Sequence, residues 1–195
     1  MKHFYTSVGE NWFDFQDIYS RMVRNATDGS HFVEVGSWKG RSASYLAVEI
    51  VNSDKTIKFD CVDTWQGSKE HLSPVSPFFQ SELLEDEDWL YQEFIKNVAP
   101  VKELINPVRT TSLQAASAYA DESLDFVFID ASHEYEDVLK DLHAWYPKIK
   151  KGGYIGGHDY IFYSGVRRAV NEFFDITPEI IRNSFLHNKV ELQTC

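Results

Sequence analysis

Five short apolar runs alternate with segments whose apolar residues recur at helical spacing, and this alternation limits the fold more than any other feature. The runs are HFVEVG (31–36), TIKFDCVD (56–63), ELINPV (103–108), LDFVFID (124–130) and YIGGHDY (154–160). Between them, Ala43, Leu46, Ala47 and Ile50 share one helical face, as do Trp89, Phe94, Ile95 and Val98. SLQAASAYA (112–120) reads as a short helix. Tyr135, Val138, Leu139, Leu142 and Trp145 give the clearest helix, which Gly152 and Gly153 are expected to follow as a break. Val166, Ala169, Val170 and Phe173 form a last helix, and Phe15, Ile18, Tyr19, Met22 and Val23 a leading one within residues 1–30. Alternating strands and helices predict an α/β sandwich around a mostly parallel sheet. PEIIRN (178–183) and KVELQT (189–194) are expected to close it as an antiparallel hairpin. The polar, proline-bearing stretch 64–88 reads as a long loop, a candidate lid or substrate loop in which His71 and SPVSPFF would touch substrate; a plain surface insertion is the alternative.

At 195 residues the chain suits one domain, 1–195. A net charge of −11 argues against a nucleic-acid partner, since phosphates would be repelled. Lys148, Lys150 and Lys151 form a small basic group that reads as a solvated helix end. No apolar run approaches the roughly 20 residues of a membrane helix. The two cysteines, Cys61 and Cys195, give neither a disulfide framework nor a zinc spacing. With no apolar leader in MKHFYTSVGENWF, a soluble cytoplasmic protein is expected.

EVGSWKG places Gly36 and Gly40 between a strand and a helix. Glycine there permits a tight bend and close approach of a ligand to the helix start. A βα turn that merely needs glycine is the alternative. The turn is not the G-x-G-x-x-G of a pyrophosphate site, and Glu34 just before it disfavours a phosphate and favours an ammonium group. Asp63 ends the second strand where a ribose diol would be held, and Trp65 would cover an adenine face. A turn-capping aspartate and a core tryptophan are the structural alternative.

The ordered set VEVGSWKGRSA, VDTWQGS, TTSLQAA, LDFVFIDASHEY and KKGGYIGGHDY resembles the class I S-adenosylmethionine-dependent methyltransferases, over about residues 32–160. It is most similar to small bacterial members related to macrolide sugar O-methyltransferases. The resemblance implies a Rossmann-like three-layer sandwich with strand order 3-2-1-4-5 followed by an antiparallel strand. It implies that Glu34, Gly36, Ser37, Trp38 and Gly40 line the methionine part of S-adenosylmethionine, with Ser42 toward its carboxylate. Asp63 would bind the ribose, Thr64 and Trp65 would lie beside the adenosine, and Ser112 and Leu113 would flank the adenine.

In such a fold the fourth and fifth strands are neighbours, roughly 4.8 Å apart. Asp130, His133, His158 and Asp159 would then meet beside the reactive methyl group. Two chemistries follow. Asp130 and Asp159, with His158, would hold Mg²⁺, Mn²⁺ or Ca²⁺ and so orient and acidify a substrate hydroxyl. Alternatively His133, where the related sugar enzymes have their proposed base, is a general base without metal. The two are compatible. Each residue also has a structural reading: Asp130 bonding the next helix, His133 capping it, His158 a satisfied core histidine. Asp137 and Asp141 read as solvated helix residues. The expected activity is methyl transfer to a hydroxyl of a small molecule or sugar. A nicotinamide-dependent oxidoreductase and a non-catalytic binding scaffold are the alternatives, and the aromatic leading helix would suit a homo-oligomer contact.

Overall fold

The computed structural model describes residues 1–190. Its sheet has seven strands: β1 Ser30–Val35, β2 Ile57–Asp63, β3 Ile105–Arg109, β4 Leu124–Ile129, β5 Ile149–Gly157, β6 Glu179–Ile181 and β7 Ser184–Asn188. Their order is β3-β2-β1-β4-β5-β7-β6. The first five pair in parallel, and β7 pairs antiparallel with both β5 and β6. This is the Rossmann-like order that the family resemblance implies.

Side-chain alternation along the strands builds two cores. Phe32, Phe59, Cys61, Phe126 and Phe128 face α1 Gln16–Asn25, α2 Arg41–Asn52 and, beyond two single helical turns (α3 Lys69–Leu72 and α4 Glu82–Glu85), α5 Trp89–Val98. Val33, Val35, Val62, Val127, Ile129 and Ile155 face α6 Ser112–Ala118, α7 Tyr135–Trp145 and α8 Ser164–Phe173. Burying each large side chain contributes about 1.5–3 kcal/mol, so both faces of β1 and β4 are committed to the core. α7 shows how the local sequence decides an element. Glu136 and Asp137 in its first turn suit the positive end of the helix dipole, and Val138, Leu142 and Trp145 face inward.

Several expectations need correction. α7 ends through a 3₁₀ turn at Tyr146–Lys148 carrying Pro147, not at the glycine pair. Gly152 and Gly153 instead lie inside β5, which begins at Ile149 and carries an irregularity where its pairing with β4 jumps from Ile149 to Tyr154. The KKGG stretch has no apolar alternation, so the sequence hides this part of the strand. Lys148 and Lys150 are paired with Asp121 and Asp125 rather than sitting on a bare helix end. The closing hairpin is displaced: SFLHN, not KVELQT, is the strand that pairs. Lys189 and Val190 follow it, and the rest of KVELQT, with Cys195, lies outside the described residues. Asp141 is 5% exposed, not solvated: it accepts a hydrogen bond from Ser112 Oγ, which in turn accepts from Trp145 Nε1. No helix among the described residues is long and apolar enough to cross a membrane.

The register aligns the carboxyl ends of four strands. Gly36 N–H donates to Val62, Asp130 N–H to Val35, and His158 N–H to Ile129. The residues just after β1, β4 and β5, and Asp63 at the end of β2, therefore share one rim.

Candidate active site

The turn after β1 is built around its glycines. Gly36 has φ of +89°, and a Cβ there would fall 2.0 Å from the Asp130 carbonyl oxygen. Gly40, at +87°, opens α2 against Val98 and Phe94, with 2.8 Å left for a Cβ. The Asp63 carboxylate fastens this turn. One oxygen accepts from the Ser37 and Trp38 N–H groups at 2.9 Å, and the other from Trp65 N–H at 2.8 Å. Burial pushes Asp63 up and these backbone donors oppose it. Three of its acceptor positions are already used by the chain itself.

Glu34 is fully buried beneath the turn and accepts from Tyr19 Oη at 2.7 Å. Burial pushes it up to about 7, against the nearby hydroxyls of Ser42 and Tyr19. Ser37 Oγ lies close to this carboxylate yet is buried without a hydrogen-bond partner among the described residues. Ser42 is buried in the first turn of α2. Thr64, half-buried, accepts from Gln66 N–H.

Trp65 is a correction. It is wholly buried, packs on Phe94 and Tyr91, and donates to the Trp38 carbonyl, so it cannot cover an adenine. Ser112 is likewise turned inward onto Asp141, while Leu113 is exposed at the start of α6.

Asp130, His133, His158 and Asp159 do come together. His133 Nε2 lies 2.9 Å from Asp159 Oδ2, and Tyr163 stacks on its ring at 3.9 Å. Burial would lower His133, but Asp159, Asp130 and Glu70 raise it above 6.5. His158 Nδ1 faces Asp130 at 3.5 Å and Asp159 at 3.3 Å, and its Nε2 is hydrogen-bonded to Asp14 at 2.9 Å. Burial opposes its charge, yet these carboxylates push it up to about 11. Both ring nitrogens of His158 therefore face carboxylates. Among the described residues, the expected metal trio of Asp130, His158 and Asp159 is not the group whose ligand atoms converge. The atoms that do lie within 4.8 Å of one another belong to Asp130, His133 and Asp159. Asp159 itself, despite burial, is held well below its ordinary value by His133 and His158.

Residues 33–160 match the family described as "Methyltransferase domain". The chain belongs to that methyltransferase family. An uncharacterized protein, y4gI, of Sinorhizobium fredii (strain NBRC 101917 / NGR234) is 27% identical over 154 residues, 74% of this chain. The chain spans only 16% of that protein's length. The O-methyltransferase NovP has the same fold, with a TM-score of 0.66 at 18% identity, covering 91% of this chain and 80% of its own. A putative O-methyltransferase from Klebsiella pneumoniae scores 0.57 at 15% identity, covering 86% and 70%.

Three polar residues of the rim escaped the sequence reading. Asp14 comes from the segment before α1 and bonds His158. Asn183, in the turn between β6 and β7, donates to Asp159 Oδ1 at 2.9 Å and accepts from Ile161 and Phe162 N–H. Glu70, in α3, places Oε1 3.3 Å from His133 Nδ1. Each is an isolated polar residue far along the chain from its partner, with no motif to mark it. The 64–88 segment was flagged, but only its composition could be read.

Proposed function

We propose that the protein transfers a methyl group from S-adenosylmethionine to a hydroxyl of a small molecule or sugar, with His133 as the general base and Asp159 as its orienting partner. The observation that carries this is the Asp159–His133 contact at 2.9 Å on the rim between β4 and β5. The family match supports the cofactor class. The turn between β1 and α2, with Gly36 and Gly40 at positive φ, fits a cofactor that approaches the backbone closely.

S-adenosylmethionine, when bound, supplies a methyl group already activated by its sulfonium. The chain then has to orient the acceptor, exclude water and take its proton. Asp159, pinned by Asn183 and flanked by His158, holds Nε2 of His133. That leaves Nδ1 as the nitrogen that receives the hydroxyl proton. Tyr163 fixes the ring plane by stacking on it. His158 lies between Asp130 and Asp159 and, with His133, holds Asp159 well below its ordinary value.

A second reading is favoured by the grouping of Asp130, His133 and Asp159. A divalent cation held there would polarise the acceptor oxygen. A nitrogen in the donor set suits Mn²⁺ better than Mg²⁺ or Ca²⁺. The two readings exclude each other, because a metal would occupy the ring that serves as base. Titration with S-adenosylmethionine, with and without EDTA, followed by turnover on a panel of hydroxylated acceptors, tests both. Binding and turnover that survive EDTA support the base reading. Turnover lost in EDTA and restored by Mn²⁺ supports the metal reading. Absence of S-adenosylmethionine binding, with NAD⁺ binding in its place, sinks both.

A further inference from the structure

The carboxyl-end rim is roofed by two segments, residues 8–14 and 68–80. Trp12 packs on Phe78 at 5.6 Å and on Trp38 at 5.9 Å, and His71 stacks on Trp38 at 4.1 Å. Lys39 Nζ ties the roof together through Glu10 at 2.6 Å and Gln80 at 2.9 Å. Ser68 and His71 cap α3 reciprocally, with Ser68 N–H donating to His71 Nδ1 at 3.0 Å. That turn aims Glu70 down at the base. With the roof docked, Asp159 faces Nε2 of His133 and Glu70 faces Nδ1, so neither nitrogen is free to accept a proton.

One carboxylate must leave before the base works. Asp159 is held by Asn183 and flanked by His158, and its side chain is 14% exposed. The Glu70 side chain is 29% exposed, sits on a four-residue turn and accepts only a long hydrogen bond from Ser68 Oγ, at 3.5 Å. Glu70 is the partner that gives way.

We propose that Glu70 gates the acceptor position: its carboxylate occupies the Nδ1 side of His133, and the acceptor hydroxyl enters by displacing it. This rests on the reading of His133 as the base. Glu70 is a gating residue that acts through His133, and it makes acceptor entry and roof movement one event.

The test is carbethoxylation of the full-length protein with diethyl pyrocarbonate in EDTA, followed residue by residue by peptide mass spectrometry. The reagent attacks an unprotonated imidazole nitrogen that has no other partner. Exposed His143 is the internal reference. Glu70→Gln keeps the shape of the turn and removes the ionic contact. Its His133-to-His143 rate ratio is expected to rise about fivefold, the effect of losing an ion pair of about 1 kcal/mol. Tryptophan fluorescence, to which Trp12 in the roof and Trp38 beneath it contribute, is expected to stay unchanged. An unchanged ratio overturns the gate. A ratio that rises only together with a fluorescence change also overturns it, because Glu70 would then merely dock the roof. S-adenosylmethionine binding, measured on the same preparations, tests the methyltransferase reading separately.

Discussion

The rim has two halves that treat half-buried carboxylates differently. At the β1–β2 half, Asp63 is satisfied by three backbone N–H groups from residues 37, 38 and 65. At the β4–β5 half, Asp130 and Asp159 face two histidines, and those rings are completed by Asp14 and Glu70 from distant segments. Backbone amides do not titrate and do not move independently of the fold. Histidines do titrate, and Glu70 rides on a single helical turn. The first half is therefore a rigid seat and the second a place where protons can be exchanged. Substitutions in the seat should reach stability and cofactor binding together, whereas substitutions in the second half should reach turnover alone.

The largest effect is expected from His133→Ala, which should lower turnover about 10²–10⁴-fold, the usual worth of a positioned base. Its thermal unfolding and S-adenosylmethionine affinity should stay close to wild type. Loss of either would break the division between the halves. Gly36→Ala should act in the opposite way. A methyl group would meet the Asp130 carbonyl in a left-handed backbone, so a loss of about 3 kcal/mol or more is expected in denaturant unfolding.

Asp63→Ala leaves three turn N–H groups without their acceptor, at a cost of about 2–3 kcal/mol. It should weaken S-adenosylmethionine binding as well, and calorimetry on the folded variant would show it. Wild-type binding in this variant would mean that Asp63 serves the turn alone.

The smallest effect sharpens the comparison from outside the rim. Burial pushes Asp141 up to about 6, from an ordinary 3.8. Between those values the native state holds a proton that the unfolded chain has released, so stability falls as pH rises through this window. The loss is complete above about 6. Asp141→Asn keeps an acceptor for Ser112 and should remove this fall, gaining on the order of 1–2 kcal/mol at pH 8 and little at pH 4. Denaturant midpoints at the two pH values check it.

What the sequence made legible follows the same division. The seat is local: its glycines, Asp63 and the strand before them lie within one strand–helix–strand unit, and spacing alone points to them. The strand order came from the family resemblance, and with that order the meeting of Asp130, His133, His158 and Asp159 was legible too, because each ends or follows an apolar strand. Partner choice was not. His158 reads as a metal ligand, but nothing in the sequence shows that Asp14 takes its other nitrogen. Trp65 reads as an adenine shelf until Phe94 and Tyr91 enclose it. Asp141 reads as solvated because its helix face is polar in sequence, yet α6 packs Ser112 against it. These outcomes depend on which residues of remote segments arrive, and spacing carries no record of that.

The central claim is a backbone-built cofactor seat beside a metal-independent base. Calorimetric titration of S-adenosylmethionine into wild type, His133→Ala and Asp63→Ala, all in EDTA, tests it most directly. The account predicts one site of equal affinity in wild type and His133→Ala, and weakened or abolished binding in Asp63→Ala. Wild-type protein that fails to bind in EDTA, or His133→Ala that loses the cofactor, would contradict it.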